Sequence, residues 1–325
     1  MKLATLKTEH RDGRLIVVDK HLTKYVAPDI ALTLQFALDN WSSVAPELKL
    51  IYQELNDNQC TSAPFSAEKL AAPLPRAYQW LDGSAYLSHV ERVRKARGAE
   101  LPETLLDDPL MYQGASDQLL GAHEPIEAGS EAWGIDFEAE VGVMTDDVPM
   151  GISENGAAEH IKLLVLINDI SLRNLIPDEL AKGFGFIQGK PASAFSPVVI
   201  TPDELGDNWN HGKLHLPLSV YWNDKLFGQA NAGTDMQFSF PRLISHAAKT
   251  RRLSAGTIIG SGTVSNYDQN VGCSCIVEKR VIEIAISGTA KTEFMQYDDR
   301  VRIEMLDEQG QSLFGAIEQV VKPCQ

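Results

Sequence analysis

The sequence is short of cysteine, of long apolar runs and of positive charge, and each shortage narrows what it can be. Its 325 residues include only four cysteines, Cys60, Cys273, Cys275 and Cys324. They are too few and too scattered for a disulfide framework. "CSC" at 273–275 has no second Cys or His pair nearby at metal-ligand spacing, so it reads as small-residue strand filler rather than a soft-metal site. No stretch approaches the roughly 18 apolar residues of a membrane span, and the N-terminal "MKLATLKTEHRDG" lacks the apolar core of a signal peptide. The net charge is −15 and the pI near 5.0. That balance argues against nucleic acid and against an anionic membrane surface, since both demand basic patches. The one basic cluster, "ERVRKARG" (91–98), reads as a solvated helix face. The expected setting is soluble, reducing and cytoplasmic.

What is present is a strand-rich pattern. After residue 75, "FEAEVGVM", "IKLLVLIN", "SPVVIT", "LPLSVYWN", "KLFGQAN", "TIIGSGTV", "VIEIAIS" and "DRVRIEML" read as strands between turn signals. Asn223-Asp224, between two apolar runs, predicts a hairpin. Helices are expected at 89–98, at 157–165 running into a strand, and at 240–250. Before residue 70, "RLIVVD" (14–19) reads as a strand, and residues 29–55 carry helical periodicity interrupted at Pro46. The Pro-punctuated "AAPLPRAYQW" (71–80) marks a boundary, dividing a small N-terminal domain (1–72) from a catalytic one (73–325). The fold class is α+β, mostly β, without the regular β-α-β alternation of a doubly wound sheet.

The chemistry concentrates in acidic positions. Read as one strand, "GIDFEAEVGVM" (134–144) puts Asp136, Glu138 and Glu140 on one face, about 7 Å apart. At an effective dielectric near 20 each neighbouring pair costs about 2 kcal/mol. The apolar run "KLLVLINDISLRN" (162–174) ends abruptly in Asn168-Asp169. Carboxylates gathered in a partly buried place call for a cation, and an oxygen-only donor set favours Mg²⁺, Ca²⁺ or Mn²⁺ over Zn²⁺. The bland alternatives are a wet edge strand for Glu138 and Glu140 and a turn cap for Asp169. "LDGSAYLSHVERV" (81–93) brings Asp82, Tyr86 and His89 close in sequence, whereas His211 and His215 read as surface. Lys190, in the Gly-rich "GFGFIQGKPASAFSPVVI" (183–200), and Thr263, in "GTIIGSGTVSN" (256–266), are candidates for contacting an anionic substrate.

In this order, Tyr86-x-x-His89, "PLMYQG" (109–114), "DFEAEVGVM", "LINDISLRN", "QGKPASAFSP", the "VYWNDKLFGQAN" hairpin and "GTIIGSGTVS" resemble the fumarylacetoacetate hydrolase family over roughly residues 75–320. The resemblance implies a rolled mixed β-sheet domain, a small N-terminal domain and a homodimer. It also implies a divalent metal, Mg²⁺ before Ca²⁺ or Mn²⁺, held by Glu138, Glu140 and Asp169 with Asp82 as a fourth ligand. His89 would activate water, oriented by a glutamate for which Glu278 is the candidate. Arg173 and Lys190 would stabilise developing negative charge, and Tyr112, Thr263 and Tyr86 would line the substrate. Asp136 would support the site from behind or sit at a turn. The implied reaction is hydrolysis of a carbon–carbon bond in a β-diketo acid, fumarylacetoacetate first, as in tyrosine breakdown. Acylpyruvate hydrolysis, oxaloacetate decarboxylation and 2-oxo-alkenoate hydration share that metal site, and a non-catalytic metal-stabilised module is a third reading. Two departures stand out. Ile176 occupies a position where fumarylacetoacetases carry a polar substrate contact. Arg92 replaces a glutamate seen in the acylpyruvase branch.

Overall fold

The run "IKLLVLIN" has no polar alternation, the mark of a strand covered on both faces, and it lies inside the larger of two main sheets. The computed structural model describes residues 1–96 and 104–324. The larger sheet has eleven strands. Across it run Ala63–Pro64, Lys24–Val26, Arg14–Val18, Lys2–Leu6, Val198–Ile200, Ile161–Asn168, Ala139–Thr145, Ile258–Gly260, Trp80–Gly83 and Met111–Gln113, with Ala194–Phe195 paired to Ile161–Asn168 beside this path. Ile258–Gly260 and Trp80–Gly83 pair in parallel while their neighbours are antiparallel, so the sheet is mixed. A second sheet of five strands contains Lys225–Asn231, Pro217–Trp222, Arg300–Met305, Ile317–Pro323 and Ile126–Ala128. The molecule is a sheet-dominated α+β fold.

Alternation along Ile161–Asn168 shows how the layers form. Leu163, Val165 and Ile167 belong to the same packed cluster as Leu34, Leu38, Val44 and Leu48 of the N-terminal helices. Leu164 and Leu166 belong to the cluster that includes Val220, Val301, Ile303 and Ile317 of the second sheet. Residues 1–72 therefore share the main sheet, through register pairs such as Lys2 with Ile200 and Ala4 with Val198, and cover one of its faces.

Several local expectations need correction. "VIEIAIS" is not a strand but the second half of the Ile276–Ser287 helix. Its apolar alternation does not mark a buried face, because Ile284 and Ile286 are exposed. The helix is set instead by Asp136, whose carboxylate accepts from the Ile276 and Val277 N–H groups at its start, and by Gly288 (φ +79°) at its end. In 29–55 the helical run breaks at Asn40, not at Pro46, giving helices Leu34–Asp39 and Trp41–Asn56. A proline near the start of a helix removes few bonds, and the chain passes through it. At 157–165 only short turns of Glu154–Ala157 and Ala158–His160 precede the strand. The expected 89–98 helix is Leu87–Ala96, and its last two residues lie outside the described residues. The helix at 240–250 spans Phe240–Ala247. The hairpin forms as expected, with Asn223 and Asp224 at φ of +47° and +62°, the two left-handed positions of a tight turn. Among the described residues no helix is long and apolar enough to cross a membrane.

Candidate active site

The acidic stretch 134–144 is not one strand. Ile135–Asp136 pairs with Ser171–Leu172, and the chain breaks at residues 137–138 before Ala139–Thr145 joins the main sheet. The break sends the three carboxylates to three different places, which removes the mutual repulsion that an unbroken strand would impose.

Asp136, fully buried, binds the start of the Ile276–Ser287 helix and accepts from Arg173 Nε at 2.7 Å. The helix N-terminus carries partial positive charge, so an anion is favoured there. Glu138 takes four donors: Arg173 Nη2 (2.5 Å) and Thr263 Oγ1 (2.9 Å) on one oxygen, Lys190 Nζ (2.5 Å) and Ser171 Oγ (3.2 Å) on the other. Burial alone would raise its pKa, but Arg173 and Lys190 outweigh that and hold it well below the ordinary value. Expected as a metal ligand, Glu138 is instead saturated by these donors.

Glu140 is the opposite case. Its two carboxylate oxygens are buried and have no hydrogen-bond partner. It shares its place with Asp82 and Asp169, and one oxygen from each lies within 4.8 Å of the others. Burial, the largest cause, pushes Asp82 and Glu140 well above the usual carboxylate range; Asp169 beside Asp82, and Asp82 beside Glu140, add to it. An unpartnered buried carboxylate is costly, and three hard oxygen donors at this spacing suit a divalent cation of the Mg²⁺, Mn²⁺ or Ca²⁺ type. Asp82 is held by the Gly262 N–H at 3.0 Å. The turn allows no side chain here: a Cβ on Gly260 would stand 2.4 Å from Asp82 Oδ1, and one on Gly262 (φ +77°) 2.3 Å from the Gly83 carbonyl oxygen.

The raised carboxyls make a prediction. A group whose folded pKa is raised contributes stability at low pH and loses it as pH rises through the folded value. Chelated protein should therefore lose stability as pH climbs above about 4, and Mg²⁺ or Mn²⁺ should restore it most at high pH. Urea unfolding at pH 5 and pH 8 with EDTA checks this. Glu140→Gln should flatten the dependence, and an equal loss in both proteins would assign it elsewhere.

Asp169 accepts from Tyr112 Oη (2.6 Å), Ser193 Oγ (2.7 Å) and Lys190 Nζ (2.5 Å). Burial works against the charge on Lys190, but Asp169 and Glu138 overcome it and hold the ammonium above its ordinary value. The loop that delivers Lys190 is pinned by buried Glu179, which accepts from the N–H groups of Ile187, Gln188 and Gly189 at 2.7–2.8 Å. Glu179→Ala should unpin it and lower kcat/KM about tenfold or more with a smaller change in melting temperature. An unchanged kcat/KM would show that the loop holds itself.

His89 lies on the Leu87–Ala96 helix with Nδ1 2.7 Å from Glu278 Oε2, across 189 residues of sequence. Burial would raise the Glu278 carboxyl, but hydrogen bonding to His89 and the charges of His89 and Arg92 keep it lowered. Its other oxygen accepts from Arg92 and from Ser265 Oγ. Arg92 follows His89 by one helical turn, so the residue that departs from the acylpyruvase pattern grips the same glutamate. Tyr86, expected to meet substrate through its hydroxyl, lines the cavity but spends the hydroxyl on the Ala232 carbonyl at 2.6 Å. His211 and His215 are exposed, as expected. Cys273 and Cys275 are buried ahead of the Ile276–Ser287 helix rather than in a strand. Ser193, Ser171, Ser265 and Glu179 carried no signal in the sequence, because their partners lie on other segments.

Asp82, His89, Tyr112, Glu138, Arg173, Lys190 and Thr263 border one cavity of about 440 Å³. None of its lining residues comes from the first 72. A larger cleft of about 570 Å³ beside Lys7–Arg11 has no such buried charges converging on it.

Residues 79–322 match the family described as fumarylacetoacetate (FAA) hydrolase C-terminal, and residues 1–76 match fumarylacetoacetase N-terminal domain 2. Among curated relatives, 2,4-didehydro-3-deoxy-L-rhamnonate hydrolase of Sphingomonas sp. (strain SKA58) is 29% identical over 159 residues, 48% of this chain and 53% of that protein. Oxaloacetate tautomerase YisK of Bacillus subtilis (strain 168) is 27% identical over 206 residues, 62% of this chain and 63% of that protein. The aligned stretches thus span roughly half to under two thirds of these relatives. Fumarylacetoacetate hydrolase from psychrophilic Exiguobacterium antarcticum shares the fold over 100% of both chains, with TM-score 0.69 and 16% identity. So does maleylpyruvate hydrolase from Sphingobium sp. SYK-6, solved with manganese(II) and pyruvate, with TM-score 0.66 and 16% identity. On these matches the chain belongs to the fumarylacetoacetate hydrolase family, whose members include hydrolases and tautomerases.

Proposed function

We propose that the chain is a divalent-metal-dependent hydrolase that cleaves a carbon–carbon bond in a β-diketo acid, with fumarylacetoacetate as the first substrate to test. One observation carries the reading: a His–Glu pair opens onto the same cavity as an oxygen-only carboxylate trio and two buried cations. Asp82, Glu140 and Asp169 are the residues that would hold the cation. When bound, it supplies Lewis acidity toward the diketone oxygens and offsets the charge of the departing enolate.

The side chains account for the rest. Glu278 accepts from Nδ1–H of His89, which leaves Nε2 free to take a proton from water. The resulting hydroxide adds to one carbonyl carbon, and the bond to the neighbouring carbon breaks. The acyl half leaves as a carboxylic acid, and the other half leaves as an enolate that takes up a proton. Lys190 uses two of its three N–H groups on Glu138 and Asp169, so one remains for the developing oxyanion. Glu138 holds Lys190 and Arg173 together against their own repulsion.

A second reading is favoured by the alignment with an oxaloacetate tautomerase: the same base moves a proton beside a carbonyl and no bond is cleaved. The test is loss of ultraviolet absorbance of fumarylacetoacetate with EDTA, then with Mg²⁺ or Mn²⁺ restored, with products identified. Metal-dependent release of fumarate and acetoacetate supports hydrolysis. No cleavage, with faster enol–keto exchange of oxaloacetate, supports the tautomerase. Cleavage indifferent to thorough chelation removes the carboxylate trio from the argument.

A further inference from the structure

The charged end of the cavity and its other end differ in kind. Along the Leu87–Ala96 helix, Tyr86, His89, Val90 and Val93 all border the cavity. They are spaced as one helical face, so one turn beyond His89 that face becomes aliphatic. Ile176, Leu180, Phe186 and Leu110 also line the cavity. Phe186 is fixed edge-on to Tyr112, with ring centroids 5.3 Å apart and planes at 88°. Ile176 is buried here and Leu180, 47% exposed, stands at the mouth. The cations of the charged end are committed: Arg173 to Asp136 and Glu138, Lys190 to Glu138 and Asp169, Arg92 to Glu278. Arg94, which also borders the cavity, is already engaged.

We propose that this aliphatic end is an acyl-binding subsite, and that the preferred substrate carries its carboxylate at one end only, with an unbranched alkyl or an aryl group at the other. The inference rests on the diketo-acid reading above and narrows it. A second carboxylate would lie against Val93, Ile176 and Phe186 without a committed partner, and an unpaired buried charge is strongly disfavoured. A methylene chain there leaves water at no such cost. The subsite also accounts for Ile176 at a position where the family resemblance leads one to expect a polar contact. It sets this chain apart from an enzyme built for fumarylacetoacetate, which has a carboxylate at each end.

The experiment compares kcat/KM with Mg²⁺ across straight-chain 2,4-dioxo acids of increasing length, an aryl analogue and analogues ending in a second carboxylate. The expected rise is about fourfold per added methylene until the chain reaches solvent, from about 0.8 kcal/mol per buried CH₂. Doubly charged analogues should fall about 10²-fold or more below their alkyl counterparts. Leu180→Arg, at the mouth where a long side chain is tolerated, should narrow or reverse that gap. So should Val93→Arg, with melting temperature checked for both. Doubly charged acids cleaved as well as alkyl ones would overturn the subsite and leave the diketo-acid reading standing, the more clearly if Arg94→Met abolished that preference. If no diketo acid is cleaved, the diketo-acid reading fails. Affinity of the same acids by calorimetry with Mg²⁺ then decides the subsite, since tighter binding with chain length supports it and flat affinity overturns it.

Discussion

His89→Ala is expected to lower kcat about 10³-fold on the productive substrate while the protein still folds and still gains stability from divalent metal. General-base catalysis by a positioned histidine contributes roughly 10²–10⁴ in rate. Among the described groups on this cavity, His89 is the neutral base tied to a buried carboxylate. The fold should survive because Glu278 keeps Arg92 and Ser265 as partners, so no bare charge is left behind. Stopped-flow or steady-state assays with saturating Mg²⁺ give kcat, and a thermal melt with and without metal gives the control. Near-normal kcat would move the base elsewhere. A collapsed melt would mean that His89 holds the Leu87–Ala96 helix to the Ile276–Ser287 helix, a structural role. Glu278→Gln should cost less, because an amide can still accept from Nδ1–H but no longer stabilises the imidazolium that forms.

Asp136→Ala is expected to carry the largest stability effect, about 3–5 kcal/mol. Asp136 is fully buried, and its oxygens satisfy two backbone N–H groups and Arg173. Removing them leaves a guanidinium short of a partner and a helix start with unmet donors, the situation in which losing one member of a buried pair is most damaging. Asp136→Asn should cost clearly less, because one oxygen still accepts from the helix start while the charge is gone. Urea unfolding of the two variants separates these contributions. A change under about 1 kcal/mol for Asp136→Ala would mean the helix start and Arg173 find other partners. The same substitution should lower activity, since Arg173 reaches Glu138 from a position that Asp136 holds.

Asp136, Glu138 and Glu140 show how far sequence reading goes. Their residue types and closeness are visible in "GIDFEAEVGVM", and that is enough to raise the question of a cation. The break at 137–138 is not visible, because the alternation continues through it without a glycine or proline. It arises because the Ala139 N–H donates to the Ser274 carbonyl, and the Glu138 carbonyl accepts from the Asp169 N–H, on segments far away in the chain. The helix at 276–287 was hidden for a related reason. Its period is ambiguous over seven residues, and its starting anchor is a carboxylate 140 residues earlier.

The sequence by itself determined the inventory: acidic residues spaced along apolar runs, a histidine beside an aspartate, a lysine in a glycine-rich loop, a hairpin whose Asn-Asp turn needs no outside help. Local backbone preference and side-chain chemistry act over a few residues, so they can be read without coordinates. Only the tertiary structure decided the pairings. It gave Glu138 to Arg173 and Lys190, left Glu140 with Asp82 and Asp169, joined Glu278 to His89, and placed Ile176 against the cavity. Electrostatic and hydrogen-bond energies depend on distances of a few ångströms between groups that lie tens to hundreds of residues apart, and only the folded chain sets those distances.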